Sequence, residues 1–240
     1  MMNWLARLFR PSVELAPELA QRVRAWRERP PVEGRIPLSQ ARFIVVDVET
    51  SGLDMRKDRL LSIGACVVEA MRLRAGESYA TILQRDETSA RANILIHGIG
   101  PQAQAAGEAP EESLLGFLEF AGRLPLVAFH AGFDQTMLDR ALRETLGVRL
   151  INPWLDLAYL APALFPEARL SQAGLDDWLG YFGLRAHTRH RAADDAFATA
   201  EIFLVLLARA RARSLTTVNA LHAACEQQAR LVPGGGAGGA

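Results

Sequence analysis

The sequence predicts an α/β fold, a mixed sheet flanked by helices. Three observations carry that expectation. Half of the 240 residues are hydrophobic, enough to core one substantial domain with appendages. Between residues 42 and 83, strand-like runs follow one another through short connections, as in an antiparallel meander. After Pro110, helical and strand-like segments alternate, the pattern that builds parallel strands.

Residues 1–40 read as an N-terminal helical extension and linker. Leu15, Leu19, Val23 and Trp26 recur at helical spacing with arginines between them. Pro30, Pro31, Gly34 and Pro37 then interrupt the chain. Such a helix either packs on the main domain or docks on a partner or membrane surface. The first strand is expected over 42–49 and the second over 60–69. The third covers 79–83, with 72–74 at its start. A short apolar strand is expected over 125–130. Helices are expected over 111–122, 133–146, 155–163, 172–181, 192–212 and 215–231. The catalytic unit is placed at 41–213, a C-terminal helix at 214–232 and a disordered Gly-rich tail at 233–240.

The formal net charge is zero, which argues against a basic protein that coats duplex nucleic acid. It leaves room for a protein that grips only the end of a strand. Lys57 is the single lysine among 27 basic residues, the habit of a GC-rich bacterial genome. Cys66 and Cys225 have no CxxC or Cys/His spacing, so reduced thiols are expected and zinc is not. The longest apolar run, 202–208, is too short to span a bilayer. The opening MMNWLARLFRP is broken by Arg7 and Arg10 and lacks a signal-peptide core. No transmembrane segment and a cytoplasmic location are expected.

The chemistry is concentrated in carboxylates. In FIVVDVETSGLD, residues 43–54, a strand runs into Asp47 and Glu49. Strand side chains alternate, so both acids leave the same face. Two carboxylates so close repel unless water, arginine or a divalent cation relieves them. A solvated strand end is the lesser reading of the pair. In LVAFHAGFDQTML, Asp134 follows an apolar strand just inside a helix, where α/β sheets place their sites. An acid there also serves the helix dipole. In HTRHRAADDAFATAEIF, the stripe Asp195, Ala198, Thr199, Ile202 and Leu206 should face the sheet, while Asp194 shares the outer side with Glu201. Helical phase thus selects Asp195. His190 stands five residues before it, and His187 reads as a bystander.

Four acids from three elements, with a histidine, are far more specific than any pair. Mg²⁺ favours a few carboxylates plus substrate phosphate. Two such ions about 3.5–4 Å apart stabilise both oxygens of an in-line phosphoryl displacement. A histidine with a pKa near 6.5 can take a proton from attacking water.

The order Asp-x-Glu-Thr-x-Gly, then Phe-Asp after a strand, then His-x4-Asp resembles the DEDDh class of 3′→5′ exonucleases. The likeness is to the proofreading epsilon subunit of bacterial DNA polymerase III and its stand-alone relatives. It covers about residues 40–212 and includes ILIHGIG at 94–100. It implies a ribonuclease H-like fold, with a mixed five-stranded sheet of three antiparallel strands and then parallel ones. It implies two Mg²⁺ (or Mn²⁺) ions held by Asp47, Glu49, Asp134 and Asp195, with His190 as general base. Thr50, Gly52 and Leu53 would hold the terminal nucleotide, Leu53 as an apolar wedge against the last base. His97 and Phe133 would line the same pocket. Asp156 matches an aspartate read as structural.

There are departures. The family often has His-Asn where this chain has Phe129 and His130, which alters hydrogen bonding near the substrate strand. Gly100 stands where the family has threonine. The expected substrate is single-stranded DNA or a DNA 3′ end, with RNA as the alternative in an exoribonuclease or oligoribonuclease-like enzyme. A polymerase or other protein partner would dock through the N- or C-terminal extension. The alternative of another class is a non-catalytic docking subunit.

Overall fold

The structure, a computed structural model, describes residues 13–86, 89–186 and 189–231. The first helix is α1 (Pro17–Arg27), followed by strands β1 (Arg42–Thr50), β2 (Leu60–Glu69) and β3 (Arg72–Ile82). Helices α2 (Arg91–His97), α3 (Pro101–Ala105) and α4 (Pro110–Ala121) lead to β4 (Leu126–Ala128) and α5 (Ala131–Leu146). The chain closes with β5 (Trp154–Asp156), α6 (Leu157–Leu164), α7 (Leu175–Phe182), α8 (Ala192–Ala212) and α9 (Val218–Leu231). The sheet order is β3-β2-β1-β4-β5. β1–β2 and β2–β3 are antiparallel, and β1–β4 and β4–β5 are parallel. This is the mixed five-stranded sheet flanked by helices that the sequence implied.

The alternation of β1 divides the molecule. Ile44, Val46 and Val48 enter a core with Val23 and Trp26 of α1, Leu114 and Phe117 of α4, and Met137 and Leu138 of α5. Phe43 and Val45 enter a second core with Leu160 of α6, Trp178 of α7, Phe203 of α8 and Leu221 of α9. The next two side chains of that second parity are Asp47 and Glu49. They continue an apolar row toward α8 and become half-buried as the strand ends.

Helix α8 comes unusually close to the sheet. Gly64 pairs with Asp47 across the β1–β2 ladder. A Cβ on Gly64 would overlap the backbone of Ala192 and Ala193 in the first turn of α8. Only glycine permits that approach.

The N-terminal helix packs on the main domain. Trp26 is 1% exposed and donates its indole N–H to the Gly122 carbonyl at 2.9 Å. Arg22 grips Glu119 with a fork of 2.9 and 2.8 Å and reaches Glu112 at 2.7 Å.

Several boundaries differ from the sequence reading. The 155–163 helix begins at Leu157, because the three residues before it pair with β4 as the fifth strand. The 125–130 strand stops at Ala128, since His130 adopts a left-handed backbone (φ 59°) ahead of α5. The 172–181 helix starts at Leu175, where Asp177 accepts the Gly174 N–H at 2.8 Å. The 94–100 stretch holds the end of α2 and the turn that follows it, where Gly98 has φ 70°. The Gly-rich tail, the opening MMNWLARLFRP and His187 lie outside the described residues.

Gly64→Ala is expected to destabilise the protein by about 1–3 kcal/mol, the usual cost of overpacking. Because the clash is with the α8 backbone, the variant should also weaken binding of divalent ions. Urea unfolding and Mn²⁺ titration check the two effects.

Candidate active site

The acids of β1 and α8 meet at the C-terminal end of β1. Ligand oxygens of Asp47, Glu49 and Asp195 all lie within 4.8 Å of one another. Asp195 is 5% exposed, and its stripe-mates Ala198, Thr199, Ile202 and Leu206 are all buried, as helical phase predicts. Asp134 approaches from the other face of the sheet. It lies in the first turn of α5, is 5% exposed, and accepts the Val48 N–H at 3.1 Å. Its charge is felt at Asp47. The ladder breaks between Glu49 and Thr50. Such irregularities re-aim side chains at sites.

Crowding shows in the proton affinities. The carboxyl of Asp47 is pushed well above its ordinary range by burial, then by Asp134, Asp195 and Glu49, with Arg189 opposing. Burial and the Asp195 charge push Glu49 up to about 7, again against Arg189. Asp134 is raised by burial, although its own backbone N–H and that of Val48 pull it back.

These observations test whether the residues fit a divalent cation. The donors are all carboxylate oxygens, they converge, and they repel one another when ionised. That is the donor set a hard dication prefers.

The segment after β1 is tied down. Thr50 Oγ1 donates to the Gly52 carbonyl at 2.6 Å. Asp58 accepts from Ser51 Oγ and from the Asp54 N–H, both at 2.8 Å. Gly52 lies directly over the Asp58 carboxylate, and the Asn93 side chain of α2 donates to the Ser51 carbonyl. This clamped turn holds Leu53 in solvent at 85% exposure. An apolar side chain so displayed suits contact with an apolar face of a ligand.

His97 is buried at the end of α2. Its Nδ1 accepts the Ile99 N–H at 3.0 Å, which leaves the proton on Nε2. That N–H has no acceptor among the described residues. His97 borders a cleft of about 430 Å³ that Glu49, Ser62, Arg191 and Ala192 also line. His130 is exposed at the head of α5 with its ring 5.1 Å from that of Phe129. Its N–H donates to Asp156 Oδ1 at 3.0 Å, and the same oxygen accepts the Ala158 N–H at 2.9 Å. Asp156 thereby ties the β4–α5 junction to α6. Phe133 packs half-buried against the first core.

The His190 side chain is exposed, and its backbone is left-handed at φ 63°. What reaches the acids is its N–H, which donates to Asp195 Oδ2 at 3.0 Å. The residue that sequence reasoning missed is Arg189. Its guanidinium pairs with Asp195 Oδ1 through Nη1 and with Asp176 Oδ1 through Nε at 2.6 Å. An acid cluster calls for a counter-cation, but Arg185, Arg189 and Arg191 all stand near Asp195 in sequence, and nothing in the pattern singles out Arg189.

The comparisons with known proteins agree with this geometry. A family model described as exonuclease, RNase T, matches residues 44–203, which include all four acids and His190. The chain belongs to that exonuclease family. A DNA polymerase III subunit epsilon-like protein of Rhodobacter capsulatus is 35% identical over 199 residues, covering 82% of this chain and 28% of that protein. A PolC-type DNA polymerase III of Thermotoga maritima is 32% identical over 164 residues, covering 68% of this chain and 12% of that one. The chain therefore spans less than a third of the length of each of these relatives. Among solved structures, E. coli exonuclease I in its zinc-bound complex with single-stranded DNA superposes with a TM-score of 0.61 at 21% identity. That match covers 71% of this chain and 41% of the other, and it shows a shared fold. Among the described residues, no helix is long and apolar enough to cross a membrane.

The raised pKa of Glu49 has a definite sign. The folded protein holds a proton that the unfolded chain releases near 4.5, up to about pH 7. The stabilisation is complete below the lower value and is lost as pH rises through the upper one. The melting temperature of metal-free protein in EDTA should fall from pH 5 to pH 8. Glu49→Gln should flatten that fall, and saturating Mg²⁺ should oppose it. Thermal melts across pH check all three.

Proposed function

We propose that the chain is a 3′→5′ exonuclease. It removes nucleoside 5′-monophosphates from the 3′ end of DNA, with preference for single-stranded or frayed ends, in proofreading or repair. The observation that carries this reading is the convergence of Asp47, Glu49 and Asp195 within 4.8 Å at the end of β1. The chemistry is that of two Mg²⁺ or Mn²⁺ ions, for which Asp47, Glu49, Asp134 and Asp195 are the ligands. When bound, such ions neutralise charge on the scissile phosphate and acidify water.

The chain's own residues supply the rest. Glu49 must be ionised to bind, so ligation and loss of its proton are coupled. The clamped turn at Thr50 and Gly52 holds the terminal nucleotide, and exposed Leu53 covers its base. His97 offers its buried Nε2–H to the same nucleotide, with Phe133 and His130 at the α5 side. His190 lies in solvent beside the acids, where it can turn inward and take the proton of the attacking water. The water oxygen bonds to phosphorus, the P–O3′ bond breaks, and the shortened strand keeps the 3′-hydroxyl. A positioned base of this kind contributes about 10²–10⁴-fold.

The relatives named as DNA polymerase III proteins support a polymerase partner. Such a partner, or another protein, would dock through the N- or C-terminal extension, and the enzyme would act in the cytoplasm. Exonuclease I with bound single-stranded DNA supports the substrate class.

The test uses 5′-labelled single-stranded DNA and RNA, Mg²⁺ or Mn²⁺, an EDTA control, and the variants His190→Ala and Asp195→Asn. The expected result is a metal-dependent ladder shortening from the 3′ end, faster on DNA. His190→Ala should slow it about 10²-fold or more, and Asp195→Asn should abolish it. A faster RNA ladder would make the enzyme an exoribonuclease. A folded wild type that gives no ladder would favour a docking subunit.

A further inference from the structure

The contact between Arg189 and Asp195 has a consequence for the reaction. Both oxygens of Asp195 are taken by consecutive residues, Oδ1 by the Arg189 guanidinium and Oδ2 by the His190 N–H. A cation that uses Oδ1 must compete with that guanidinium. The pair is well shielded, with the Asp195 side chain 7% and the Arg189 side chain 26% exposed. Arg189 is itself held from behind, because its Nε donates to Asp176 at the start of α7. Asp176 is largely exposed and does not belong to the acid cluster. The guanidinium thus has a second anchor that survives when Asp195 is claimed by something else.

We propose that Arg189 is the internal counter-cation of the acid cluster, which a divalent ion must displace from Asp195, and that its displacement repositions the segment carrying His190. This rests on the divalent-ion reading given above. Two further observations support it. The charge of Arg189 opposes the raised proton affinities of both Asp47 and Glu49, so it serves the whole cluster. His190, next in sequence, is held in the left-handed region at φ 63°, a conformation that costs a non-glycine residue energy. The two bonds to Asp195 hold the segment in that state. Once Oδ1 is taken by a metal, one of the two is gone, and the His190 backbone is freer to leave the strained well. Arg189 is therefore a positioning residue. It keeps the acids together without metal and links the state of the metal site to the placement of the histidine.

The test measures metal binding and stability, not turnover. Mn²⁺ affinity is titrated by calorimetry for the wild-type protein, Arg189→Gln and Arg189→Lys. Melting temperatures are taken in EDTA and in saturating Mn²⁺. Arg189→Gln should bind Mn²⁺ about tenfold more tightly, because a charge-assisted competitor is gone. It should melt earlier than wild type in EDTA and gain more from Mn²⁺. Arg189→Lys keeps the charge and should move both values back toward wild type. A merely structural arginine would lower both melting temperatures equally and leave the affinity unchanged or weaker, which would overturn the proposal. Wild type that binds Mn²⁺ while Arg189→Gln binds it no better also overturns it, and leaves the metal reading standing. Folded wild type that binds no Mn²⁺ overturns both.

Discussion

The approach of α8 to β2 at Gly64 is the constraint on which the site depends. Gly64 lies across the ladder from Asp47, so the first turn of α8 lands beside the first acid. Asp195 lies in that turn, on the stripe that faces the sheet. Had position 64 carried a side chain, the helix would stand further off and its carboxylate with it. Ala192, Ala196 and Ala198 are buried on the same helix, and their small side chains let it lie close. Packing therefore sets the spacing of the acids. Their mutual repulsion acts against a distance already fixed by backbone contact.

That arrangement is costly in electrostatic terms, and the fold answers from several directions. Burial raises the proton affinity of Asp47, Glu49 and Asp134. Arg189 opposes the rise at the first two, and the Val48 N–H serves the third. Such a site is destabilised until it is filled, which is one way for a fold to gain affinity for a cation.

Much of this was legible in the sequence, for physical reasons. Period-two alternation in β1 put Asp47 and Glu49 on one face, and the structure shows that face turned to α8. Helical phase separated Asp195 from Asp194 without any tertiary information. The fifth strand was not legible. Trp154–Asp156 is three residues long, and only its pairing with β4 makes it a strand. The end of α2 within 94–100 depends on a left-handed glycine, Gly98, which periodicity does not see. Arg189 was hidden among arginines. Its neighbours along the chain gave no hint that its partners would be Asp176 and Asp195.

The chain order of the acids makes the site a long-range contact. Two of them come from the first strand of the sheet, and the last comes from the penultimate helix. Bringing together segments so distant in sequence carries a larger loop-closure cost than any local contact. A nascent or cleaved chain ending before α8 carries Asp47, Glu49 and Asp134 but lacks the carboxylate that completes the set. The acid cluster is thus a property of the whole chain: it exists only where the first strand and α8 are both in place.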